Sequence, residues 1–273
     1  MKLSATTRAG GLAFLTGAVT LFTQVLIHRI VSAKLLNNYA FLVISLTMLG
    51  FALSGIVLSR WLDRLLEHFE DSVTTCVALF IVSVIATSGL FYHLDVGHQF
   101  AIYRRDFLVH LGRWMPVALP FALPFLFCGL ILGTLLSDPR LPARRMYFAD
   151  LLGSATGAIA VIYGIKTLGV ERSLLGACAV MLTATVLVVP PRRGWSRGAA
   201  VVAAAAIVVS AMQQDRVFAM QYPTDSMLWQ MQRLPKPYGI EYVAWDPVTR
   251  IEVSRIETPS PESSFTPSLI GDN

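Results

Sequence analysis

Seven predominantly apolar stretches, parted by short arginine-bearing segments, confine this 273-residue chain to one class of fold. They run over residues 10–30, 39–59, 73–92, 114–136, 151–169, 173–189 and 198–212. A helix rises about 1.5 Å per residue and the hydrocarbon core of a bilayer is about 30 Å thick, so roughly 20 apolar residues cross it. In lipid a backbone must satisfy its own hydrogen bonds, and a helix does so within one segment. The sequence therefore predicts an all-α polytopic membrane bundle of six or seven transmembrane helices, with the lipid bilayer as its first partner. The seventh stretch decides the number. Its 15 residues reach about 22 Å, short of the core unless Trp195 and Ser196 join the helix or the bilayer thins.

Charge agrees with this class. Only 14% of the residues are charged, against about 25% in soluble domains. The net charge of +5 comes largely from arginines between the apolar runs. There they act as topology signals rather than as a nucleic-acid surface. With the N-terminus inside, the inner segments hold Lys2, Arg8, Arg60, Arg64, Arg140, Arg144, Arg145, Arg192, Arg193 and Arg197. The outer segments hold Arg29, Lys34, Arg104, Arg105, Arg113, Lys166 and Arg172. Ten against seven favours this orientation, because basic loops stay on the cytoplasmic side. Seven crossings then put the tail outside, and six put it inside. Lys2 and Arg8 ahead of an apolar run, with Val31-Ser32-Ala33 behind it, have the form of a signal peptide. Gln24, His28 and Arg29 interrupt that form and further spans follow, so the first helix is expected to stay uncleaved.

The fifth stretch opens DLLGSATGAIAVIYG. Gly153, Gly157, Ala160 and Gly164 fall at i, i+4, i+7 and i+11, on one helical face. Close backbone contact over small residues is what joins helices in lipid. This face is expected to be the seam against which the other spans pack.

Polar groups at membrane depth usually face a bundle interior. Gln24 and His28 share a face of the first span, with Arg29 beside them. They either anchor the helix at the interface or form a polar pocket with Asp150 or Lys166. Asp150 also suits a helix N-terminus, where a carboxylate meets free N–H groups. Lys166 suits snorkelling to the headgroups. Pro116, Pro120 and Pro124 recur every four residues in the fourth span and are expected to kink it. Residues 95–113 place Ile102, Phe107, Leu108 and Leu111 near helical spacing among Arg104, Arg105 and His110, which predicts an amphipathic helix in the interface.

Catalytic and cofactor patterns are missing. No G-x-G-x-x-G follows a strand, and there is no P-loop and no H-E-x-x-H. His28, His68, His93, His98 and His110 show no ligand spacing, and Cys76, Cys128 and Cys178 read as small hydrophobes within apolar runs. No metal and no cofactor is expected on this chain.

After residue 213 the sequence turns polar and proline-bearing. Residues 240–243 alternate in part, Asp246-Pro247 signals a turn, and 250–256 alternate polar with apolar. This predicts a β-hairpin. A hairpin alone is marginal in water, so residues 214–273 read as a short extramembrane segment that begins a β-containing domain whose remainder is missing.

Several of these pieces form a pattern together. They are GLAFLTGAVTLFTQVLIHRI and NNYAFLVISLTMLGFALSGIVLSRWLDR in the first two spans, MYFADLLGSATGAIA at the fifth, and YVAWDPVTRIEVSRI in the tail. The chain resembles, loosely along its whole length, the membrane-embedded spermidine synthase-like proteins of bacteria. The more specific parts are Tyr147 to Gly157 and Trp245 to Val253. The resemblance implies a bacterial inner-membrane protein whose multi-span domain (1–213) precedes an aminopropyltransferase-like domain. The intact protein would move an aminopropyl group from decarboxylated S-adenosylmethionine, its co-substrate, to a diamine. Two departures matter. The first span carries Gln24 where the family often has Glu, so an acid role there is lost. The family's glycine-rich nucleotide loop and proton-abstracting acid have no counterpart within residues 1–273. This chain is therefore expected to be an anchor or sensor module without catalytic residues, its catalytic domain separate or missing. The alternative is a transporter or channel-like protein, for polyamines for example, with Gln24 and Asp150 along its path.

Overall fold

A computed structural model describes residues 4–34, 40–94, 118–222, 229, 233, 239–246 and 250–255. The amphipathic helix expected over 95–113, and Pro116, lie outside the described residues. Within them, six helical segments are long and apolar enough to cross a membrane, as expected of an integral membrane protein. They contain α1 (Ala5–Lys34), α2 (Ala40–Glu67), α3 (Phe69–His93), α4 (Ala122–Ser137), which spans only together with the 3-10 turn before it (Leu119–Ser137), α5 (Ala143–Val188) and α6 (Gly194–Met212). A short turn, α7 (Gln214–Val217), precedes two antiparallel strands, β1 (Gly239–Trp245) and β2 (Arg250–Arg255). The chain is an all-α bundle with a short β segment.

The 46 residues of α5 would extend about 69 Å if straight, more than twice a bilayer core. They are not straight. Gly169 has φ 79° and ψ 176°, outside helical space and open to a residue without a Cβ. A Cβ on Gly164 would lie 3.1 Å from Ser173 Oγ, although nine residues of straight helix span about 13 Å. The chain folds back at Gly169, so α5 is a helical hairpin with arms 143–168 and 170–188. These arms are the fifth and sixth spans of the sequence. α6 includes Trp195 and Ser196, and its 19 residues reach about 28 Å. The described residues thus run along the bundle seven times.

The contacts fix which end is which. One cleft gathers Arg8, His68, Asp71, Arg140, Val189 and Arg193, which lie at or beside ends of all six of these helices. We call this the basic end. At the other end Lys34 Nζ donates to the carbonyls of Phe91 (2.6 Å) and Tyr92 (3.0 Å). There too the rings of Phe91 and Phe121 meet edge to face at 5.5 Å, and the N–H of Gln221 donates to Tyr92 O at 3.0 Å. This is the tail end, opposite the N-terminus.

Two parallel seams are built on glycine. A Cβ on Gly153 would lie 2.0 Å from Phe14 O, and one on Gly157 2.1 Å from Ala18 O. α1 and the first arm of α5 touch backbone to backbone there. Likewise α2 meets α4, where a Cβ on Gly50 would lie 2.4 Å from Ala122 O.

Two expectations about these helices need correction. Ala160 is exposed, while Val161 and Ile165 are buried. The seam follows the i+4 row 153, 157, 161, 165, which drifts round the helix by about 40° per step, and the i+7 position is left behind. The seam also does not collect the other spans, because a narrow glycine stripe admits one close neighbour, here α1. The most buried of the membrane helices is α3, 72% buried over its apolar stretch, with Leu79 and Leu90 still exposed. α6 rests on it through Ser196, Ala203 and Ser210, buried at heptad spacing. Asp71 of α3 holds the start of α6. It accepts the N–H groups of Arg192 and Arg193, both at 2.9 Å, and the Ser196 hydroxyl at 2.5 Å.

Pro120 and Pro124 do not kink a span. Pro120 lies in the 3-10 turn Leu119–Phe121, and Pro124 falls in the first turn of α4. N–H groups there have no intrahelical acceptor, so proline costs little.

Candidate functional site

A polar network ties the tail end together where the β-hairpin meets the bundle. The strands pair Trp245 with Arg250 and Val243 with Glu252. Pleating puts these four on one face and Tyr242, Ala244, Ile251 and Val253 on the other. The first face carries the contacts to the bundle.

Glu171 is the centre of that contact. It follows the Gly169 turn and opens the second arm of α5. Its carboxylate accepts the Tyr92 hydroxyl at 2.7 Å and the Trp245 indole N–H at 3.0 and 3.1 Å. Tyr92 is fully buried at the end of α3. The indole lies over the turn itself, because a Cβ on Gly169 would come within 3.4 Å of Trp245 Cδ1. Arg250 continues the network. Its guanidinium sits 5.3 Å from the Trp245 ring centroid and 5.9 Å from that of Tyr222. Arg250 Nε pairs with Glu252 at 2.7 Å, and the Tyr222 hydroxyl also donates to Glu252. Burial pushes the Tyr222 phenol up from its ordinary pKa, so it stays a donor at neutral pH. The Phe218 ring stands edge-on to Tyr92 at 5.5 Å. This arrangement is a latch that ties the extramembrane hairpin to the turn between two spans.

Removing the acceptor tests the latch. Glu171→Leu strands the Trp245 N–H and the Tyr92 hydroxyl and takes about 2–3 kcal/mol from hairpin docking. The amides of 240–244 and 250–254 should then exchange with solvent at least tenfold faster, with the helices unchanged. Unchanged exchange would show that Glu171 does not hold the hairpin.

The residues singled out from sequence are spread along the bundle. Asp150 lies beside Gly17, where a Cβ would meet Asp150 O and Oδ1 at 2.5 Å. Gly17 is about 10 Å along α1 from Gln24 and about 16 Å from His28, so Asp150 shares no pocket with that pair. Gln24, His28 and Arg29 are half-buried towards the tail end, and Lys166 is exposed. None of the five lines the cleft at the basic end or the second cavity there, between Trp61 and Trp195. Cys76, Cys128 and Cys178 are free and buried. Among the described residues no group of three His, Cys, Asp or Glu could hold a metal.

Sequence reasoning missed Tyr92, Glu171 and Lys34. Glu171 had a visible signal, as the single acidic residue between Asp150 and Asp215, two positions after Gly169. Tyr92 and Lys34 had none, since each lies at a span end like many interfacial residues. Compared with known families, characterised proteins and solved structures, this chain matches none.

Proposed function

We propose that this chain is a membrane anchor or sensor module that holds the first strands of an extramembrane β domain against the turn between two of its spans. The observation that carries this reading is the Tyr92–Glu171–Trp245 latch. Two residues of the latch, Trp245 and Arg250, belong to the tail stretch that resembles the membrane-embedded spermidine synthase-like proteins. On that resemblance the module serves an aminopropyltransferase-like domain in the bacterial inner membrane, and residues 1–273 alone form no spermidine. A transporter would need its polar groups along one path. The separation of Asp150 from Gln24 and His28 weighs against that.

Orientation refines the reading. Arg8, Arg60, Arg64, Arg140, Arg144, Arg145, Arg192, Arg193 and Arg197 belong to the basic end, which the positive-inside rule assigns to the cytoplasm. At the other end Lys34 is 2% exposed and engaged with α3 carbonyls, so it adds little to the count there. The hairpin then faces outward. Decarboxylated S-adenosylmethionine is a cytosolic metabolite, so an outward domain favours sensing or a changed substrate over aminopropyl transfer. Reporter fusions after Asn273 test this. Alkaline phosphatase should be active and green fluorescent protein dark. A fluorescent fusion with inactive phosphatase would reverse the orientation and restore the transferase reading.

A further inference from the structure

We propose that Asp150 is a proton-binding site inside the seam between α1 and the first arm of α5, its carboxyl held as the neutral acid at neutral pH. The ligand is the proton itself. The inference does not depend on what the tail carries.

α5 begins at Ala143, so Asp150 does not cap the helix as its place in the sequence suggests. It lies about 10 Å inside the span, farther from either end of its span than any other carboxylate among the described residues. Its side chain points into the seam. A Cβ on Gly17 would lie 2.5 Å from Asp150 Oδ1 and 3.0 Å from Ser154 Oγ, so the carboxyl faces the backbone of α1. One turn earlier Met146, 2% exposed, packs on Gly10, where a Cβ would lie 3.7 Å from its terminal methyl. On the other side Gly157 meets the backbone of Ala18. The seam is thus closed before and after the carboxyl. Asp150 is half-buried, and the surface beside it is Tyr147, Leu151 and Leu152, exposed as lipid-facing residues are.

Nothing there compensates a negative charge. Among the described residues no cation pairs with Asp150 and no group donates a hydrogen bond to it. The hydroxyls of Thr16 and Thr20, beside Gly17, are turned to their own helix and donate to Leu12 O at 2.8 Å and Thr16 O at 2.6 Å. The charged and titratable groups on the packed elements are remote or neutral. On α1, Arg8 is about 13 Å along the helix from Gly17 and His28 about 16 Å. α4 brings the free, buried thiol of Cys128. On α5 itself Arg144 and Arg145 are exposed at the basic end, and Lys166 is about 24 Å away. A carboxylate without counter-charge or donors is costly in such a place, and taking up a proton removes that cost.

The test uses the full chain in detergent. Infrared spectra separate the C=O stretch of a carboxylic acid from that of a carboxylate. At neutral pH the parent should show an acid band that Asp150→Asn lacks. The second readout is dicyclohexylcarbodiimide, an apolar reagent that adds to the acid and not to the carboxylate. The carboxyl oxygen bonds to its central carbon, the acid proton moves to one of its nitrogens, and nothing leaves. Peptide mass spectrometry should find Asp150 modified about tenfold or more faster than Asp63, which is exposed near the end of α2. No acid band in the parent, an equal band in Asp150→Asn, or equal modification of Asp150 and Asp63 would each overturn the proposal. Should Asp150→Asn fail to fold, the modification rates in the parent decide alone.

Discussion

Gly157→Val is expected to push α1 away from the first arm of α5 and destabilise the whole bundle. A Cβ there would stand 2.1 Å from Ala18 O, with Ala18 C and Cα at 2.8 and 2.9 Å. Those neighbours are backbone, so no rotamer change relieves the clash and the helices must part. Gly153→Val meets Phe14 O at 2.0 Å in the same way. Overpacking of this kind costs about 1–3 kcal/mol per site, and parted helices also lose the close contacts that hold them in lipid. The unfolding midpoint in detergent should fall by roughly 3–10 °C for either variant. The two sites are one turn apart on the same seam, so the double variant should cost less than the sum. Ala160→Val is the control. Ala160 is exposed, and its substitution should leave the midpoint within about 1 °C. If Ala160→Val were as damaging as Gly157→Val, the seam would follow the i+7 row after all.

Lys34→Met should be comparably severe for a different reason. Lys34 ends α1 and is 2% exposed. Its ammonium donates to Phe91 O, Tyr92 O and Leu94 O, and lies 5.2 Å from the Phe91 ring centroid. The last carbonyls of a helix lack intrahelical donors and carry the negative end of its dipole. One buried cation answers both needs and welds the end of α1 to the end of α3. Methionine keeps most of the stem volume and removes every donor. The cost is about 2–4 kcal/mol, since hydrogen bonds to a charged group are lost and carbonyls are left buried. Lys34→Arg should rescue only in part, because a planar guanidinium does not fit three convergent carbonyls as a compact ammonium does. The measurements are the unfolding midpoint and amide exchange over 88–94. Parent-like values in Lys34→Met would mean that solvent already serves those carbonyls. Tyr92 ends the same helix and donates to Glu171, so loosening here should also loosen the hairpin.

These two cases show where sequence reading succeeds and where it stops. The apolar stretches, their lengths and the break between the fifth and sixth spans were legible, because hydropathy over about 20 residues and the rise of a helix are local quantities. Gly153 and Gly157 were legible as a contact face for the same reason. The hairpin over 240–256 was legible from its alternation and the Asp246-Pro247 turn. Other features depended on the rotation and height of helices relative to one another. Ala160 sits on the same nominal face as Gly153, yet the crossing of α1 leaves it outside. Pro120 and Pro124 looked like kinks until the start of α4 placed them in its first turn. Lys34 counts as an interfacial charge until α3 ends beside it. Glu171 and Trp245 are 74 positions apart, and nothing local to either names the other. Composition and periodicity therefore settle what the chain is made of and where it lives. Packing settles which polar groups meet, because that choice depends on a few ångströms of helix offset that no local pattern encodes.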